Sequence, residues 1–327
     1  MNNFWNDLKT TKSNPISVLA PMYDVTDVAF RQLIATLPKT QQPDVLFTEF
    51  ANADSYANPV GKINTLKYLL KTNEQKPVVA QIWGVTPANY HNLAKDIVQM
   101  GFDGIDINMG CPQKNEMKIG ACAALINNQN LASQIIQATL DGAANKIPVS
   151  VKTRTGVKKV DTANWISFLD QFNISTVTLH GRTAAQLSKV PADWEQVKLA
   201  RTLLNSSKVL IGNGDIENAE HGTILCSETG ANGYMIGRGI FKNPFAFQSP
   251  TTLPTKLELV QLGIKHVQLF KQFYANGNNG GKNYQIMKKF FKVYANTFEG
   301  ASELRSKLME TNTEDEALNI LNTELLK

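Results

Sequence analysis

Eight short apolar runs, each ending in small or polar residues, constrain the fold of this chain more than any other feature of its sequence. The runs cover residues 17–22, 45–50, 78–84, 104–110, 149–156, 176–182, 209–216 and 233–239. Segments with helical periodicity separate them; residues 88–100, for example, place Leu93, Ile97 and Met100 on one face. Strands that alternate with helices predict an α/β fold, a (β/α)8 TIM barrel of roughly 240 residues. An open doubly wound sheet is the alternative, which we disfavour because no early strand carries the glycine fingerprint of a dinucleotide site.

The alternating pattern ends after Phe247. Residues 248–256 (QSPTTLPTK) are typical of a linker. From Leu257 onward only helical spacing of apolar residues recurs. We therefore predict a catalytic barrel over residues 1–247 and an all-helical domain over residues 251–327. Within the helical domain, the glycine- and asparagine-rich residues 275–283 predict a flexible loop.

The cysteines and the apolar runs exclude several classes of protein. Cys111, Cys122 and Cys226 show no C-x-x-C spacing, so we expect neither a metal site nor a disulfide framework. Reduced thiols favour a cytoplasmic protein. The first fifteen residues are polar and do not read as a secretory signal. No run reaches the roughly 18 apolar residues that a membrane span needs.

The charge balance does not identify a partner. The net charge of +5 is compatible with a polyanionic partner but does not require one, because many proteins of other classes are equally basic. Nothing in the sequence points to an obligate protein partner, so a monomer is the default expectation.

Residues 104–125 are the most informative stretch. Ile105, Ile107 and Met109 alternate with polar residues as in a strand, and Gly110-Cys111-Pro112 ends that strand. In a parallel barrel this position places Asn108 and Cys111 at the end where barrel enzymes keep their chemistry. The alternative is an unreactive buried cysteine in an ordinary turn.

Polar side chains recur at the same end of successive predicted strands. They are Gln81 on strand 3, Asn108 on strand 4, Lys152 and Arg154 on strand 5, and His180 and Arg182 on strand 6. Each alone could be a structural or solvated residue. Their shared placement favours a common site.

Strands 7 and 8 are each followed by a glycine-rich turn. Glycines at 212, 214, 237 and 239 would let backbone N–H groups approach phosphate oxygens, and Arg238 adds a charged fork. Lys152 in the chamber suits the electron-rich N1–O2 edge of a reduced flavin, and Gln81 could hydrogen-bond its polar edge. FMN, with one phosphate, fits such a site better than a dinucleotide, which needs a longer groove.

The sequence resembles the bacterial tRNA-dihydrouridine synthases over most of its length. The matching fragments include APMYDVTDVAFR (20–31), TEF (48–50), AQIWG (80–84), DINMGCPQKNEMKIGACAALI (106–126), VKTRTG (151–156), TLHGRTAAQ (178–186), IGNGDI (211–216), MIGRGIFKNP (235–244) and MKKFFKVYANTFEGASELRSKL (287–308). The resemblance implies reduction of the C5–C6 double bond of particular uridines in tRNA. FMN would be the cofactor, and NADPH or NADH the reductant.

The resemblance also implies roles for individual residues. The implied flavin contacts are Ala20, Pro21 and Met22 along the ring, Gln81, Lys152 and His180 at its polar groups, and Asn213, Gly214, Asp215, Gly237 and Arg238 at the phosphate. Cys111 falls on the catalytic cysteine of the family, which protonates C5 after hydride transfer from flavin N5 to C6. A thiol with an ordinary pKa near 8.5 is mostly protonated at neutral pH and can act as a general acid. Asn108 would hold the uracil edge, with Arg154 and Arg182 as helpers.

Contacts with tRNA phosphates are expected from basic residues near the site and on the helical tail. The candidates are Lys114, Lys118, Lys288, Lys289, Lys292 and Arg305. Ordinary solvated side chains are the alternative for each of them. The chain departs from the family where Ala184, Ala185 and Ser188 replace a basic residue and a tyrosine. It also has Lys288, Lys289 and Phe290 where arginine and histidine are common. These departures blur which uridine is chosen.

Two other functions are compatible with parts of this sequence. An enzyme similar to dihydroorotate dehydrogenase would reduce or oxidise a free pyrimidine on the same kind of FMN barrel, but a small substrate needs no helical RNA-binding domain. A non-catalytic RNA-binding protein could keep the barrel as a scaffold, but Cys111, Lys152 and the phosphate-type turns argue for an enzyme.

Overall fold

The computed structural model describes residues 3–250 and 252–326, and its strands form one parallel barrel. The strands are β1 (Ile16–Leu19), β2 (Leu46–Asn52), β3 (Val78–Trp83), β4 (Gly104–Met109), β5 (Val149–Arg154), β6 (Thr176–His180), β7 (Val209–Asn213) and β8 (Gly233–Ile236). They pair in the order β1-β8-β7-β6-β5-β4-β3-β2. A parallel bridge between Val18 and Val45 joins β1 to the segment leading into β2 and closes the ring.

One helix precedes β1, the next nine lie between the strands, and only helices follow β8 in the described part of the chain. They are α1 (Phe4–Thr11), α2 (Val28–Ala35), α3 (Ala53–Tyr56), α4 (Pro59–Leu66), α5 (Pro87–Gln99), α6 (Lys114–Lys118), α7 (Gln129–Ala143), α8 (Thr162–Asp170), α9 (Glu195–Leu203), α10 (Ala219–Thr229), α11 (Lys256–Tyr274), α12 (Lys288–Tyr294), α13 (Ala301–Glu310) and α14 (Glu314–Leu325). The predicted (β/α)8 barrel followed by a helical region is confirmed.

Alternation along each strand decides which side chains reach the site. On β4, Ile105, Ile107 and Met109 belong to the apolar cluster shared with the outer helices. Asp106 and Asn108 point the other way and bond polar side chains of the neighbouring strands. This two-residue period is the ordinary geometry of a strand, so an apolar outer face carries polar groups into the barrel.

The amino-terminal end of the barrel is closed by α1. Trp5 is fully buried and packs with Ile16, Phe47 and Val79, which lie near the starts of their strands. Polar chemistry is thereby confined to the opposite, carboxyl end.

The helical tail begins with a capping box and packs against the barrel. The Thr255 side chain accepts from the backbone N–H of Glu258, and the Glu258 carboxylate accepts from Thr255 N–H. Phe290 on α12 stacks on Phe30 of α2, and His266 of α11 contacts both rings edge-on. The division into domains at 247 and 251 stays a prediction. Residues 1, 2, 251 and 327, which it includes, lie outside the described residues.

One tail segment differs from its prediction as a flexible loop. Within residues 275–283, the Lys282 side chain is only 2% exposed and donates to both carboxylate oxygens of Glu49, at 2.8 and 2.7 Å. The loop is therefore anchored to the barrel by a buried charge. In the described part of the chain, no helix is both long and apolar enough to cross a membrane.

Candidate active site

A first cavity of about 550 Å³ opens at the carboxyl ends of β1 and β5–β8. Ten of the eleven residues predicted to bind a cofactor line it. They are Ala20, Pro21, Met22, Lys152, His180, Asn213, Gly214, Asp215, Gly237 and Arg238. Four strands and the loop after β1 thus bring together residues as far apart in sequence as Ala20 and Arg238.

Positive charge dominates the wall of the first cavity. The Lys152 ammonium donates to Asn213 Oδ1 at 3.2 Å. Burial, together with the nearby Arg154 cation, lowers the pKa of Lys152 to about 8. Burial and the surrounding cations, among them Lys152, Arg182 and Arg238, also lower the pKa of His180 far below its ordinary value. His180 is therefore neutral at physiological pH.

Arg182 fixes both the tautomer of His180 and the position of Asp215. Its guanidinium lies 3.1 Å from His180 Nε2, and because arginine can only donate, Nε2 must accept and Nδ1 must carry the proton. The Nη2 atom of Arg182 pairs with the Asp215 carboxylate, which also contacts Arg238 at 3.3 Å. Although burial opposes it, the Arg182 hydrogen bond lowers the pKa of Asp215 and keeps it ionised. Arg182, predicted to help bind substrate, therefore lies in the first cavity.

The backbone of the first cavity suits a phosphate-bearing group. Gly214 has φ +125°, and a Cβ there would lie 2.6 Å from Ala192 Cβ, so only glycine fits. At Gly237, a Cβ would project between Ala20 and Met22, at 3.5 and 3.6 Å from them. Open backbone beside Lys152 and Arg238 is the donor set that an anionic cofactor requires. The residues present therefore fit the flavin phosphate that the family resemblance implies.

A second cavity of about 960 Å³ adjoins the first and contains Cys111. The two cavities share Met22 and Arg238 in their walls. Aromatic side chains line the second cavity, namely Tyr23, Phe50, Tyr68 and Trp83. The Tyr23 and Tyr68 hydroxyls lie 3.0 Å apart and their rings 5.6 Å apart. Flat apolar walls beside a thiol suit a planar base better than a charged metabolite.

These aromatic residues are not among the residues predicted for the site, because the prediction at the strand ends rests on polar side chains alone. Phe50 and Trp83 occupy the same ends of β2 and β3 as the polar candidates occupy on β4–β6. That shared position was a usable signal. Tyr68, which lies after α4, gave none. The first cavity likewise includes Glu217 and Lys242, which pair with each other at 2.6 Å and were not predicted.

Cys111 is half-buried, and its thiol is made more acidic by its neighbours. A hydrogen bond from the Cys122 thiol is the largest influence and lowers the pKa of Cys111 to about 7, although burial opposes this. The Gln113 backbone and the Arg154 cation act in the same direction as Cys122. Cys122 itself has φ +55°, an unusual backbone conformation for a residue with a side chain. Thiol and thiolate forms of Cys111 therefore coexist near neutral pH.

A buried chain of amides positions the Cys111 turn. Gln81 donates to Asp106 at 2.7 Å, and Asn108 donates to Gln81 Oε1 at 3.0 Å. Asn108 Oδ1 then accepts the backbone N–H groups of Gly110 and Cys111, at 3.0 and 2.9 Å. Burial raises the pKa of Asp106 to about 6 despite these bonds. Gln81, predicted to bind the flavin ring, lines none of the described cavities.

Arg154 supports the same turn from the next strand. It donates to Gly110 O at 2.8 Å and to Thr183 O and Leu187 O at 3.0 and 3.1 Å. Arg154 also lines the second cavity, and its role as a helper in substrate binding stays a prediction. Most of its donors are committed to backbone carbonyls.

The basic residues predicted to contact tRNA line neither of the two cavities. Lys288, Lys289 and Lys292 are on α12, and Lys292 is exposed over the Phe241 ring, 5.5 Å from its centre. Arg305 on α13 donates to Ala295 O at 3.4 Å. Lys114 and Lys118 are exposed on α6, directly after the Cys111 turn. Among the described residues, no group of three or more histidine, cysteine or acidic side chains could hold a metal ion.

Solved structures that resemble this chain share its barrel. Histamine dehydrogenase from Rhizobium sp. 4-9 superposes with a TM-score of 0.51 at 10% identity, covering 78% of this chain and 49% of that one. A 2-naphthoyl-CoA reductase complex superposes with a TM-score of 0.55 at 8% identity, covering 70% and 49%. This chain spans about half the length of those proteins. At such low identity the likeness defines the class by fold alone, a TIM barrel with its site at the carboxyl ends of the strands.

The sequence comparisons go further than the fold. The model of the dihydrouridine synthase (Dus) family matches residues 18–327. Probable tRNA-dihydrouridine synthase 2 of Bacillus subtilis (strain 168) is 39% identical over 323 residues, 98% of this chain and 95% of that protein. A probable tRNA-dihydrouridine synthase of Staphylococcus aureus (strain COL) is 38% identical over 323 residues, 98% and 94%. The chain belongs to the dihydrouridine synthase family, which confirms the resemblance read from its motifs.

Proposed function

We propose that this protein is a tRNA-dihydrouridine synthase that reduces the C5–C6 double bond of a uridine in tRNA to 5,6-dihydrouridine. Family membership supports this function over the reaction on a free pyrimidine. The observation that carries the mechanism is the junction of the two cavities at Met22 and Arg238, with Lys152 on one side and Cys111 on the other. A cofactor and a base can lie side by side there. FMN is the proposed cofactor, with NADPH or NADH as reductant.

The first cavity holds the cofactor. When bound, the flavin supplies the hydride for C6 of the uracil. Lys152 and the Nδ1–H of neutral His180 are donors for the polar edge of its ring. Backbone N–H groups at 213–215 and 237–238 and the Arg238 guanidinium bind its phosphate. Asp215, which also lines the cavity, holds the two arginines in place.

Cys111 supplies the proton for C5 from the second cavity. Its pKa of about 7 means that a large share of the enzyme carries the thiol form at neutral pH, and that this share falls as the pH rises. The amide chain through Asn108 keeps the cysteine turn in place. Asn108 lines neither the first nor the second cavity and uses one amide hydrogen on Gln81, so its proposed contact with the uracil edge has to use the second hydrogen.

The target base must leave its stack to reach this cavity. Unstacking costs roughly a few kcal/mol, and the aromatic wall formed by Tyr23, Phe50, Tyr68 and Trp83 offsets part of it. Lys114, Lys118, Lys288, Lys289, Lys292 and Arg305 are proposed phosphate contacts. The barrel, residues 1–247, acts as the catalytic domain and residues 251–327 as the tRNA-binding domain of a cytoplasmic monomer.

The test is the position-resolved dihydrouridine content of tRNA from a strain that lacks this gene. Complementation with the wild type should restore dihydrouridine at one site, and Cys111→Ala should not. Cys226→Ala is the matched control, because burial raises the pKa of Cys226 to about 12 and removes it from the chemistry. It should complement fully.

The purified flavin-loaded enzyme, assayed on an unmodified tRNA transcript, removes the complication of a second synthase in the cell. Failure to reduce any uridine of the transcript, together with turnover of dihydroorotate, would establish the free-pyrimidine alternative instead. A purified protein that binds no flavin would favour the scaffold alternative.

A further inference from the structure

A third cavity of about 710 Å³ lies beside the Cys111 turn, and Lys114 is the one residue of its lining to which the function proposed above gives a role. It is formed between α6 and the loops that follow β5 and β6. It shares Gln113 and Glu116 with the second cavity and no residue with the first. Whatever occupies it is therefore next to the reacting base and away from the cofactor.

The floor of the third cavity is apolar and well supported. Met117, Val157, Ala185 and Leu187 line it. The backbone N–H of Ala185 donates to Val157 O at 2.9 Å, which ties the two loops together. Arg154 holds Leu187 O from below and also lines the second cavity. One guanidinium thus fixes the floor of the third cavity relative to Cys111.

Two lysines and one carboxylate, Glu116, line the third cavity, so its net charge is positive. Lys114 and Lys158 line it and are exposed. Neither has a carboxylate within 4.0 Å among the described residues, unlike Lys271 and Lys307, whose carboxylate partners lie at 2.5 and 2.7 Å. Unpaired ammonium groups above an apolar floor complement a ligand with a flat ring and a phosphate. The side chains of Gln113 and Asn115 add hydrogen-bonding groups for a base edge.

We propose that the third cavity is a second nucleotide subsite, which takes the unstacked base of a nucleotide adjacent to the target uridine in the RNA. Lys114 and Lys158 bind its phosphates, and the apolar floor stacks against its ring. The inference rests on the proposed function, because it needs an RNA whose target base lies in the second cavity. A nicotinamide dinucleotide is disfavoured as the occupant, since the cavity shares no wall with the cofactor cavity.

The small side chain of Ala185 makes the floor accessible and provides the test. Ala185→Trp fills the cavity from an exposed position without changing the backbone bond to Val157. Ser188→Trp, an exposed position on the same loop that does not line the cavity, is the matched control. Lys158→Glu and Lys159→Glu form a second pair of variants. Lys158 lines the cavity, whereas its exposed neighbour Lys159 does not. Flavin absorbance and thermal melting check that each variant is folded and loaded.

The flavin-loaded enzymes are assayed on an unmodified tRNA transcript and on transcripts with one abasic nucleotide directly 5′ or 3′ of the target uridine. On wild type, one of the two abasic sites should lower kcat/KM roughly tenfold, the scale of one lost stacking interaction. Ala185→Trp should lower kcat/KM on the intact transcript by a similar factor and be insensitive to the abasic site. Ser188→Trp should behave as wild type, and Lys158→Glu should lose more than Lys159→Glu.

The outcomes separate this inference from the function on which it rests. A wild-type enzyme that is active but indifferent to both abasic sites would overturn the subsite alone. Equal effects of the two tryptophan variants, or additive effects of Ala185→Trp and the abasic site, would do the same. A raised KM for NADPH in Ala185→Trp with unchanged KM for RNA would assign the cavity to the reductant. A wild type that reduces no uridine would refute the proposed function and the subsite together.

Discussion

Two groups of ionisable side chains, each built around a buried lysine, contain similar residues in opposite balance. The cavity cluster consists of Lys152, His180, Arg182, Asp215 and Arg238. The tail cluster consists of Asp24, Asp27, Glu49, Arg31 and Lys282. Cations outnumber carboxylates in the first, and carboxylates outnumber cations in the second.

The pKa directions follow that balance. In the cavity cluster, burial and neighbouring cations lower the pKa of Lys152 to about 8. In the tail cluster, burial alone would lower the pKa of Lys282, but Asp27 and Glu49 raise it above its ordinary value. Burial raises the pKa of Glu49 to about 7, with Asp27 adding to the shift. A buried lysine among cations favours an anionic ligand, whereas one among carboxylates is already satisfied.

Contacts support the same distinction. Lys282 bonds both oxygens of Glu49 and lies over the rings of Tyr68 and Tyr274, at 5.7 and 5.6 Å from their centres. Lys152 has one neutral acceptor, Asn213 Oδ1. The tail cluster therefore joins two parts of the fold, and the cavity cluster serves a ligand.

The largest expected effect is on the tail cluster. Lys282→Met should lower the free energy of unfolding by about 3–5 kcal/mol, because it leaves buried carboxylates without their cation. Urea unfolding of the full chain measures this. Lys271→Met is the matched control, since its pair with Asp315 is exposed and should be worth less than about 1 kcal/mol. Equal losses in the two variants would remove the structural role assigned to the tail cluster.

Lys152→Met should have the opposite pattern. Removing one cation from a repulsive group should leave the stability of the apoprotein unchanged or slightly higher. Flavin affinity should fall by about 1.5–3 kcal/mol, roughly 10- to 150-fold, as for a lost hydrogen bond to a charged group. FMN titration of the apoprotein, followed by flavin fluorescence, measures it, with exposed Lys146→Met as the control. If Lys152→Met were unfolded, the cavity cluster would be needed for stability, as the tail cluster is, and the distinction between the two would be wrong.

Glu49 should make the free energy of unfolding depend on pH. Its folded pKa of about 7 lies above the ordinary value of 4.5, so the folded state holds more protons between those two values. The stability contributed by this group is therefore fully present below about pH 4.5 and is lost as the pH rises to 7, at no more than about 1.4 kcal/mol per pH unit. Urea unfolding across this range should show a steeper fall in stability for wild type than for Glu49→Gln, which keeps the contribution of Asp106, whose pKa is also raised, to about 6. Parallel curves would contradict the raised pKa.

The cavity cluster could be predicted from sequence because strand ends are local features. Alternating apolar residues locate β5–β8, and parallel pairing brings their carboxyl ends together, so Lys152, His180 and Asn213 follow from pattern alone. The tail cluster could not be predicted in this way. Lys282 and Glu49 are 233 residues apart, and a glycine-rich loop gives no sign of which carboxylate it will meet.

The hydrogen-bond partners of side chains within the site also could not be predicted from the sequence. Gln81 and Asn108 were placed correctly at their strand ends, but the parallel register sets Gln81 beside Asp106 and allows the amide chain to form. Which hydrogen bond an amide makes depends on this register and on the exclusion of water. Neither quantity can be read from spacing along one strand.

The smallest expected effect concerns the Cys111 thiol, which belongs to neither cluster. Cys122→Ala removes the hydrogen bond that most lowers the pKa of Cys111, so that pKa should move from about 7 toward the ordinary thiol value near 8.5. The rate of Cys111 alkylation by iodoacetamide, followed by mass spectrometry from pH 6 to 10, should show its midpoint shift upward. The alkaline fall in kcat/KM should shift with it, because proton donation needs the thiol form. Cys226→Ala should move neither curve, and an unmoved midpoint in Cys122→Ala would assign the acidity of Cys111 to Arg154 and the Gln113 backbone instead.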